Sequence, residues 1–291
     1  MICTDGNYSG ESRQNVPWKN FTENISYNIP NYYVPNSISD IVHLLQQAEE
    51  QGVKVKAVGS GWSIENIAVS EDWIIDIRNL ENQLTYLIDR ESNFISPAVT
   101  SNKRAIHLNV DSSLEDYSYF HVEAGIKIFD LNQELSSLDL SMVTLGGAQG
   151  QTLAGAISTG THGGDIDHPP LADLIEAIHL VTGSGVEYWI ESSSSPFTDD
   201  DNTLLSSLPC PDTKIIRDDQ IFNALKVGLG RFGIIYSYII KVTNSFNVAE
   251  YANNVRWVDL KDRMIQALEG SNGVLNKVLS RLHEYFRTST R

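Results

Sequence analysis

The chain is 291 residues long, which suggests about two domains at the usual ~150 residues each. Hydrophobic residues make up 41% and charged residues 20%, so the chain can bury a core and lacks the composition of a disordered one. Lys and Arg total 21 against 37 Asp and Glu; the formal net charge of -16 repels phosphate backbones and anionic lipid heads and argues against both as partners. No apolar run approaches the roughly 18 residues of a membrane span. Residues 1–15 are polar and lack the apolar stretch of a signal peptide. Two cysteines, Cys3 and Cys210, are too few for a disulfide scaffold or a four-cysteine zinc site. Asn7, Asn20 and Asn24 open glycosylation-type triplets, a short pattern that recurs by chance and that no export signal supports here. The expectation is a soluble, cytoplasmic protein.

Residues 1–30 carry Gly, Ser and Asn without clear periodicity and are expected to form a loose lead-in. The first firm element is a helix. Ile38, Ile41, Val42, Leu45 and Ala48 fall at helical spacing, Ser37 and Asp40 resemble a capping box, and Gly52 is placed to end it. Val53, Val55 and Ala57 then alternate with Lys54 and Lys56, the period of a strand with one wet face. This strand runs straight into the turn Gly59-Ser60-Gly61-Trp62-Ser63. Residues 73–77 read as a short apolar strand, and residues 84–110 as paired strands with a variable loop. A strand from Tyr119 to Glu123, closed by Gly125, precedes a helix over 128–138. Residues 174–182 and 186–190 flank Gly183-Ser184-Gly185, the pattern of a hairpin. Residues 191–219, rich in Ser, Asp and Pro, are expected to be a surface insertion. A short helix over 220–226 comes before Gly228-Leu-Gly-Arg-Phe-Gly233. Residues 234–242, rich in β-branched and aromatic side chains, read as a buried strand. Beyond Asn244, a strand near Val255, a helix over 260–268 and a further helix are expected.

Gly228-x-Gly230-x-x-Gly233 matches the dinucleotide fingerprint letter for letter, but that device needs a helix to begin at the glycines, and here a strand follows. Gly59-x-Gly61 does follow a strand. No third glycine or helix lies before Trp73, however, and Asp76 is nearer than the ~20 residues such a unit needs. A nicotinamide-dependent dehydrogenase is therefore the weaker alternative. A tight Gly/Ser turn offers another device, because successive backbone N–H groups form a concave nest for an anion. The competing reading of residues 59–63 is an ordinary turn.

The sharpest signal is the segment 146–164, which holds seven glycines, with hydroxyls at Thr152, Ser158, Thr159 and Thr161. Each glycine costs about 1 kcal/mol against alanine, a cost that is acceptable where backbone must touch a flat, phosphate-bearing ligand. The alternative is a glycine-rich loop without a ligand. His162 lies inside this segment and either hydrogen-bonds a ligand or is a structural histidine. No G-x-S-x-G or H-E-x-x-H occurs, and residues 199–201 lack the offsets of a calcium loop.

Five stretches, in order, resemble the flavoprotein oxidoreductases of the vanillyl-alcohol oxidase and p-cresol methylhydroxylase (PCMH) fold. They are residues 55–63, 74–80, 121–125, 151–163 and 227–235, within a span of about 30–245. The nearest likeness is to the aldonolactone and alditol oxidase branch. The resemblance implies an α+β, PCMH-type FAD-binding domain over 31–245, with lobes at about 31–115 and 116–245 and the insertion 191–219. Residues 246–291 would be the beginning of a truncated substrate domain. It further implies FAD against Gly59, Ser60, Gly61, Trp62 and Ser63 at the pyrophosphate. Gly147, Thr152, Gly155, Ser158, Thr159, Gly160, Thr161, His162 and Gly163 would line the rest of the cofactor, and Gly233, Ile234 and Ile235 would touch it through backbone. Relatives often carry a flavin-linking histidine where this chain has Trp62, so the implied attachment is noncovalent and the indole is expected to offer a ring for stacking. The implied activity is oxidation of an alcohol, polyol or sugar lactone, with a second chain as a possible source of the missing part. The alternative is a non-catalytic flavin-binding module.

Overall fold

The computed structural model describes residues 8–92, 94–107, 117–164, 168–248 and 254–261. The first sheet has the strand order β1-β2-β4-β3 and is built from β1 (Glu11–Lys19), β2 (Ser26–Val34), β3 (Val55–Val58) and β4 (Trp73–Asp76). β1 and β2 form an antiparallel hairpin, and β4 runs parallel to both β2 and β3. Residues 11–34 are thus not a loose lead-in. β1 is an edge strand with mostly exposed side chains and a proline at position 17, so the alternation that marks a half-buried strand is missing from its sequence. Helix α1 (Ile38–Gln51) begins at Ser37, whose side chain accepts from Asp40 N at 3.1 Å, and ends at Gly52 with φ +65°. The buried Asp40 carboxylate does not close the reciprocal box. It accepts instead from Asn36 N and Ser9 N, at 2.8 and 2.7 Å, tying the chain before β1 to the helix start.

A short pair, β5 (Ile88–Asp89) with β6 (Phe94–Ile95), and helix α2 (Ser101–His107) lead to the second sheet. The helix corrects the expectation of strands alone over 84–110, and residues 108–110 lie outside the described residues. The second sheet comprises β7 (Tyr117–Glu123), β8 (Leu140–Ser141), β9 (Ile175–Val181), β10 (Glu187–Glu191), β11 (Lys214–Arg217) and β12 (Ile234–Asn244). Its order is β11-β10-β9-β12-β7, with β8 also on β12. Between β7 and β9 lie α3 (Ile128–Ser137), α4 (Leu153–Ser158) and a 3-10 turn at Leu171–Leu174. Helices α5 (Asp201–Ser207) and α6 (Asp219–Lys226) complete the architecture. β12, eleven residues long and flanked on both sides, is the buried strand its composition predicts. Between Ile235 and Ser237 its register against β9 slips by one residue, a bulge at Tyr236 that bends the strand just after its start.

One hydrophobic cluster joins the two sheets. Trp73, Ile75 and Ile77 pack in it with Phe120, Val122, Leu153, Ile157 and Ile234. Gly125 sits where the sheets meet, and a Cβ there would fall 1.8 Å from Ile77 O. The segment 191–219 is not a surface insertion. Phe197, Leu204 and Leu208 are buried in a second cluster with Trp189 and Ile239, and β11 extends the sheet beside β10. Its many exposed polar residues mislead, because a few buried ones and the apolar side chains between them tie it to the core. The fully buried Glu191 carboxylate accepts from Phe197 N, Thr198 N and Thr198 Oγ1 at 2.8, 3.0 and 2.6 Å, and Asp200 caps α5.

Residues 254–256 form no strand, and 257–261 are helical; the rest of the expected C-terminal helices lies outside the described residues. No helix among the described residues is long and apolar enough to cross a membrane.

Candidate functional site

A cavity of about 380 Å3 opens where three elements end or begin. β3 delivers residues 59–65, Ile67 and Ala68 to one wall, α4 with its cap delivers Thr152, Ala154, Gly155, Ser158 and Thr159 to another, and the start of β12 delivers Gly233, Ile234 and Ile235. The structure thereby brings together Gly59, Ser60, Gly61, Trp62, Ser63, Thr152, Gly155, Ser158, Thr159, Gly233, Ile234 and Ile235 from stretches far apart in sequence. A second cavity of about 400 Å3 adjoins it, sharing Ala57, Gly230, Gly233 and Ile234.

Gly147, Gly160, Thr161, His162 and Gly163 do not line this cavity. Gly160, with φ +71°, follows the C-cap of α4; its N–H bonds Ile157 O, and Thr161 N bonds Ala156 O, the arrangement that favours glycine after a helix. The Thr161 methyl packs where a Gly146 side chain would go, 2.6 Å from the Cβ position. His162 is exposed and its Nδ1 pairs with Gly163 O at 2.7 Å. Gly147 is exposed with no atom within 4 Å of a Cβ position.

The loop after β3 has a marked asymmetry. Among the described residues, no hydrogen-bond partner meets the backbone N–H groups of residues 60–65, while the carbonyls of Gly61, Ser63 and Ile64 are all engaged. Gly61 has φ +65°, the left-handed turn that lets successive amides converge. Unpaired amides beside a cavity form a concave donor set that fits an anion, and no side chain among the described residues accepts from them. The first turn of α4 is not free in this way. Leu153 N and Ala154 N bond Ile126 O and Ala124 O at 2.8 and 2.9 Å, and Gly155 N bonds the Thr152 cap. Gly59 closes the contact between loop and helix, since a Cβ on it would lie 2.0 Å from Thr152 Oγ1.

Trp62 departs from the expectation of an open stacking surface. Its ring already stacks on Phe21, centroids 3.8 Å apart and planes 10° apart, and its edge abuts Gly150, where a Cβ would lie 2.6 Å from Cζ2. The charged side chains lining the cavity are Lys56 and Glu65. Burial and the nearby Arg231 guanidinium pull the Lys56 ammonium below its ordinary pKa, and its Nζ donates to Leu229 O at 3.0 Å. Sequence reading missed Lys56, Gln151, Leu229 and Gly230. Lys56 left one signal, its place on the wet face of a strand entering the glycine turn. Asp76 is not available to a ribose. Its buried carboxylate meets Tyr32 Oη and Arg78, whose Nε lies at 2.6 Å, and burial plus this carboxylate raise the Tyr32 phenol above its ordinary range. The glycines at 228–233 lead into β12, so the dinucleotide fingerprint has no helix to serve.

Comparison with known proteins agrees with this layout. The D-arabinono-1,4-lactone oxidase of Kluyveromyces lactis is 27% identical over 240 residues, 82% of this chain and 37% of that protein. The L-gulonolactone oxidase of Scyliorhinus torazame is 26% identical over 217 residues, 75% of this chain and 38% of its own length. The chain thus spans less than two fifths of these curated relatives. Cholesterol oxidase from Brevibacterium sterolicum shares the fold, with a TM-score of 0.55 and 15% identity over 84% of this chain and 40% of that one. The FAD binding domain family matches residues 30–191, from the middle of β2 to the end of β10, and the chain belongs to that family.

Proposed function

We propose that the chain holds FAD noncovalently in the cavity between the 59–65 loop, α4 and the start of β12, as the cofactor-binding part of an oxidoreductase acting on the CH–OH group of a sugar lactone or a related polyol. The observation that carries this reading is the row of unpaired amides over 60–65, set on a cavity whose lining joins small residues to an apolar wall of isoleucines. When bound, FAD supplies the site with an acceptor for hydride from the substrate carbon. The chain's own residues bind and orient. The loop amides and the Ser60 and Ser63 hydroxyls receive the diphosphate, and Lys56 supplies positive charge in a protein of net charge -16. The small side chains of Ala154, Ser158 and Thr159 leave room for a flat ring system, and Ile234 and Ile235 cover it with apolar surface that excludes water. The lactone class draws on the relatives named above and on no side chain of the cavity.

A second reading, a flavin-holding module that works with a separate chain, draws on the exposed Phe246, Val248, Trp257 and Val258 beyond β12. The visible spectrum of the purified protein tests the main reading: flavin bands are expected, and their absence after supplementation with FAD sinks it. Acid precipitation is expected to release the colour to the supernatant, because tryptophan at position 62 offers no linking nitrogen of the histidine kind; colour kept in the pellet overturns noncovalent attachment. Anaerobic bleaching of the flavin by aldonolactones separates the two readings, since only an active oxidoreductase is reduced by them.

A further inference from the structure

We infer that the turn between β1 and β2 is a positioning device for the cofactor loop: it captures the loop's carbonyls and so leaves the loop's amides turned toward a ligand. The inference rests on the FAD reading above. Three contacts of one polarity join turn and loop. Phe21 N donates to Gly61 O at 2.8 Å, Asn20 Nδ2 to Ser63 O at 3.0 Å, and Asn24 Nδ2 to Ile64 O at 3.1 Å. In a planar trans peptide the C=O of one residue and the N–H of the next point in opposite directions. Holding the carbonyls of Gly61, Ser63 and Ile64 toward the turn therefore aims the N–H groups of Trp62, Ile64 and Glu65 away from it, and these three residues line the cavity.

The turn is itself stiff. Asn20 is buried, its Oδ1 accepts from Ile25 N at 3.0 Å, and its Nδ2 also lies 2.7 Å from Asn24 Oδ1. Phe21 is 58% exposed, yet its ring lies flat on Trp62. An exposed aromatic whose ring contact is a loop residue serves that loop more than the core. None of this was expected of residues read as a lead-in, and the turn lies outside the stretch that the FAD binding domain family matches.

The test compares the full chain with its Asn20→Ala, Phe21→Ala, Phe21→Tyr and Asn24→Ala variants. Chymotryptic cleavage after Trp62 in the cofactor-free protein reads the loop directly. Cleavage should quicken about tenfold in Asn20→Ala and Phe21→Ala and return near wild type in Phe21→Tyr, which keeps the stacked ring. FAD affinity, titrated by flavin fluorescence, should fall about tenfold in the same two variants, while the melting of α1 and the second sheet shifts little. Unchanged cleavage in all variants overturns the positioning role. Faster cleavage with unchanged FAD affinity overturns the link between loop orientation and binding. Asn24→Ala removes one exposed contact and guards against variants that fail to fold; it should give a smaller rise in cleavage and a smaller loss of affinity. If the wild type itself retains no FAD, the cofactor reading fails, and the cleavage contrast still decides whether the turn positions the loop.

Discussion

Two glycine-rich regions of this protein look alike in sequence and differ in what their glycines do. In the loop over 59–63, Gly59 lets the loop touch the Thr152 cap and Gly61 takes the left-handed turn that groups the amides, so both act at the cavity. In the denser segment over 146–164, Gly146 makes room for Thr161, Gly150 for the Trp62 ring, and Gly160 ends α4. Of that segment's glycines, only Gly155 lines the cavity. Glycine density therefore marks where backbone packs closely. Whether the neighbour is a ligand or the protein itself is decided by which amides are left free: Gly59, like Gly146 and Gly150, packs on protein atoms, and it is the unpaired amides after it that set the loop apart.

The strongest way to break this contrast is Gly59→Ala. Its methyl would displace Thr152, with an overpacking cost of about 1–3 kcal/mol and loss of a cap worth about 1 kcal/mol. FAD affinity should fall by more than about tenfold, a change equivalent to ~1.4 kcal/mol. Adding Thr152→Ala removes the two nearest atoms, Oγ1 and Cγ2, and leaves Cβ at 2.9 Å, so the double variant should recover part of the loss and be more stable than the sum of the single losses predicts, as a thermal-unfolding cycle would show. Additive losses would mean that the loop and the helix cap are not coupled.

Acid separates the core from both glycine regions. His121 is fully buried against Ser237, and burial, with a smaller contribution from nearby His179, holds its imidazole well below the ordinary value of about 6.5. The folded state then keeps His121 neutral while the unfolded chain takes up a proton. Stability should be insensitive to this group above about pH 6.5 and should fall by up to about 1.4 kcal/mol per pH unit below it. Urea titrations between pH 7 and 5 should show that slope, and His121→Gln should flatten it. An identical slope in the variant would assign the proton uptake elsewhere.

Gly160→Ala should lower stability by about 1–2 kcal/mol through its positive φ, with the FAD affinity of the folded protein unchanged. Equal loss of affinity at positions 59 and 160 would erase the distinction between the regions. Gly147→Ala is the smallest change. Its Cβ meets no atom within 4 Å, and stability should move by less than about 0.5 kcal/mol in a thermal melt.

Much of the scaffold was legible because burial imposes a period. α1, β3, β7 and β12 carry apolar residues at helical or alternating spacing, or in a continuous buried run, and each lies within a residue or two of its expected place. The turn at 59–63 was legible as a turn because Gly-x-Gly follows a strand with no helical period after it, but an ordinary turn reads the same and the free amides could not be foreseen. β1 was not legible, because an edge strand with both faces wet obeys no hydrophobic pattern. The 191–219 segment was hidden because its many exposed serines and aspartates mask the few residues, Phe197, Thr198, Leu204 and Leu208, that are buried against Glu191 and the second cluster. Trp62 was identified at the site, but its Phe21 partner lies 41 residues earlier in a stretch without periodicity. No local rule connects the two.

The single hydrophobic cluster shared by the two sheets has a thermodynamic consequence. Ile77, on the wall beside β4, and Ile234, on the wall from β12, belong to one packed body, so melting that body removes two walls of the cavity at once. Cofactor occupancy and global unfolding are then linked by mass action. Free FAD at a hundred times its Kd should raise the unfolding free energy by about 2.7 kcal/mol, and the midpoint should climb with the logarithm of FAD concentration in one transition. The protein's own melting curve thereby becomes a titration of its site.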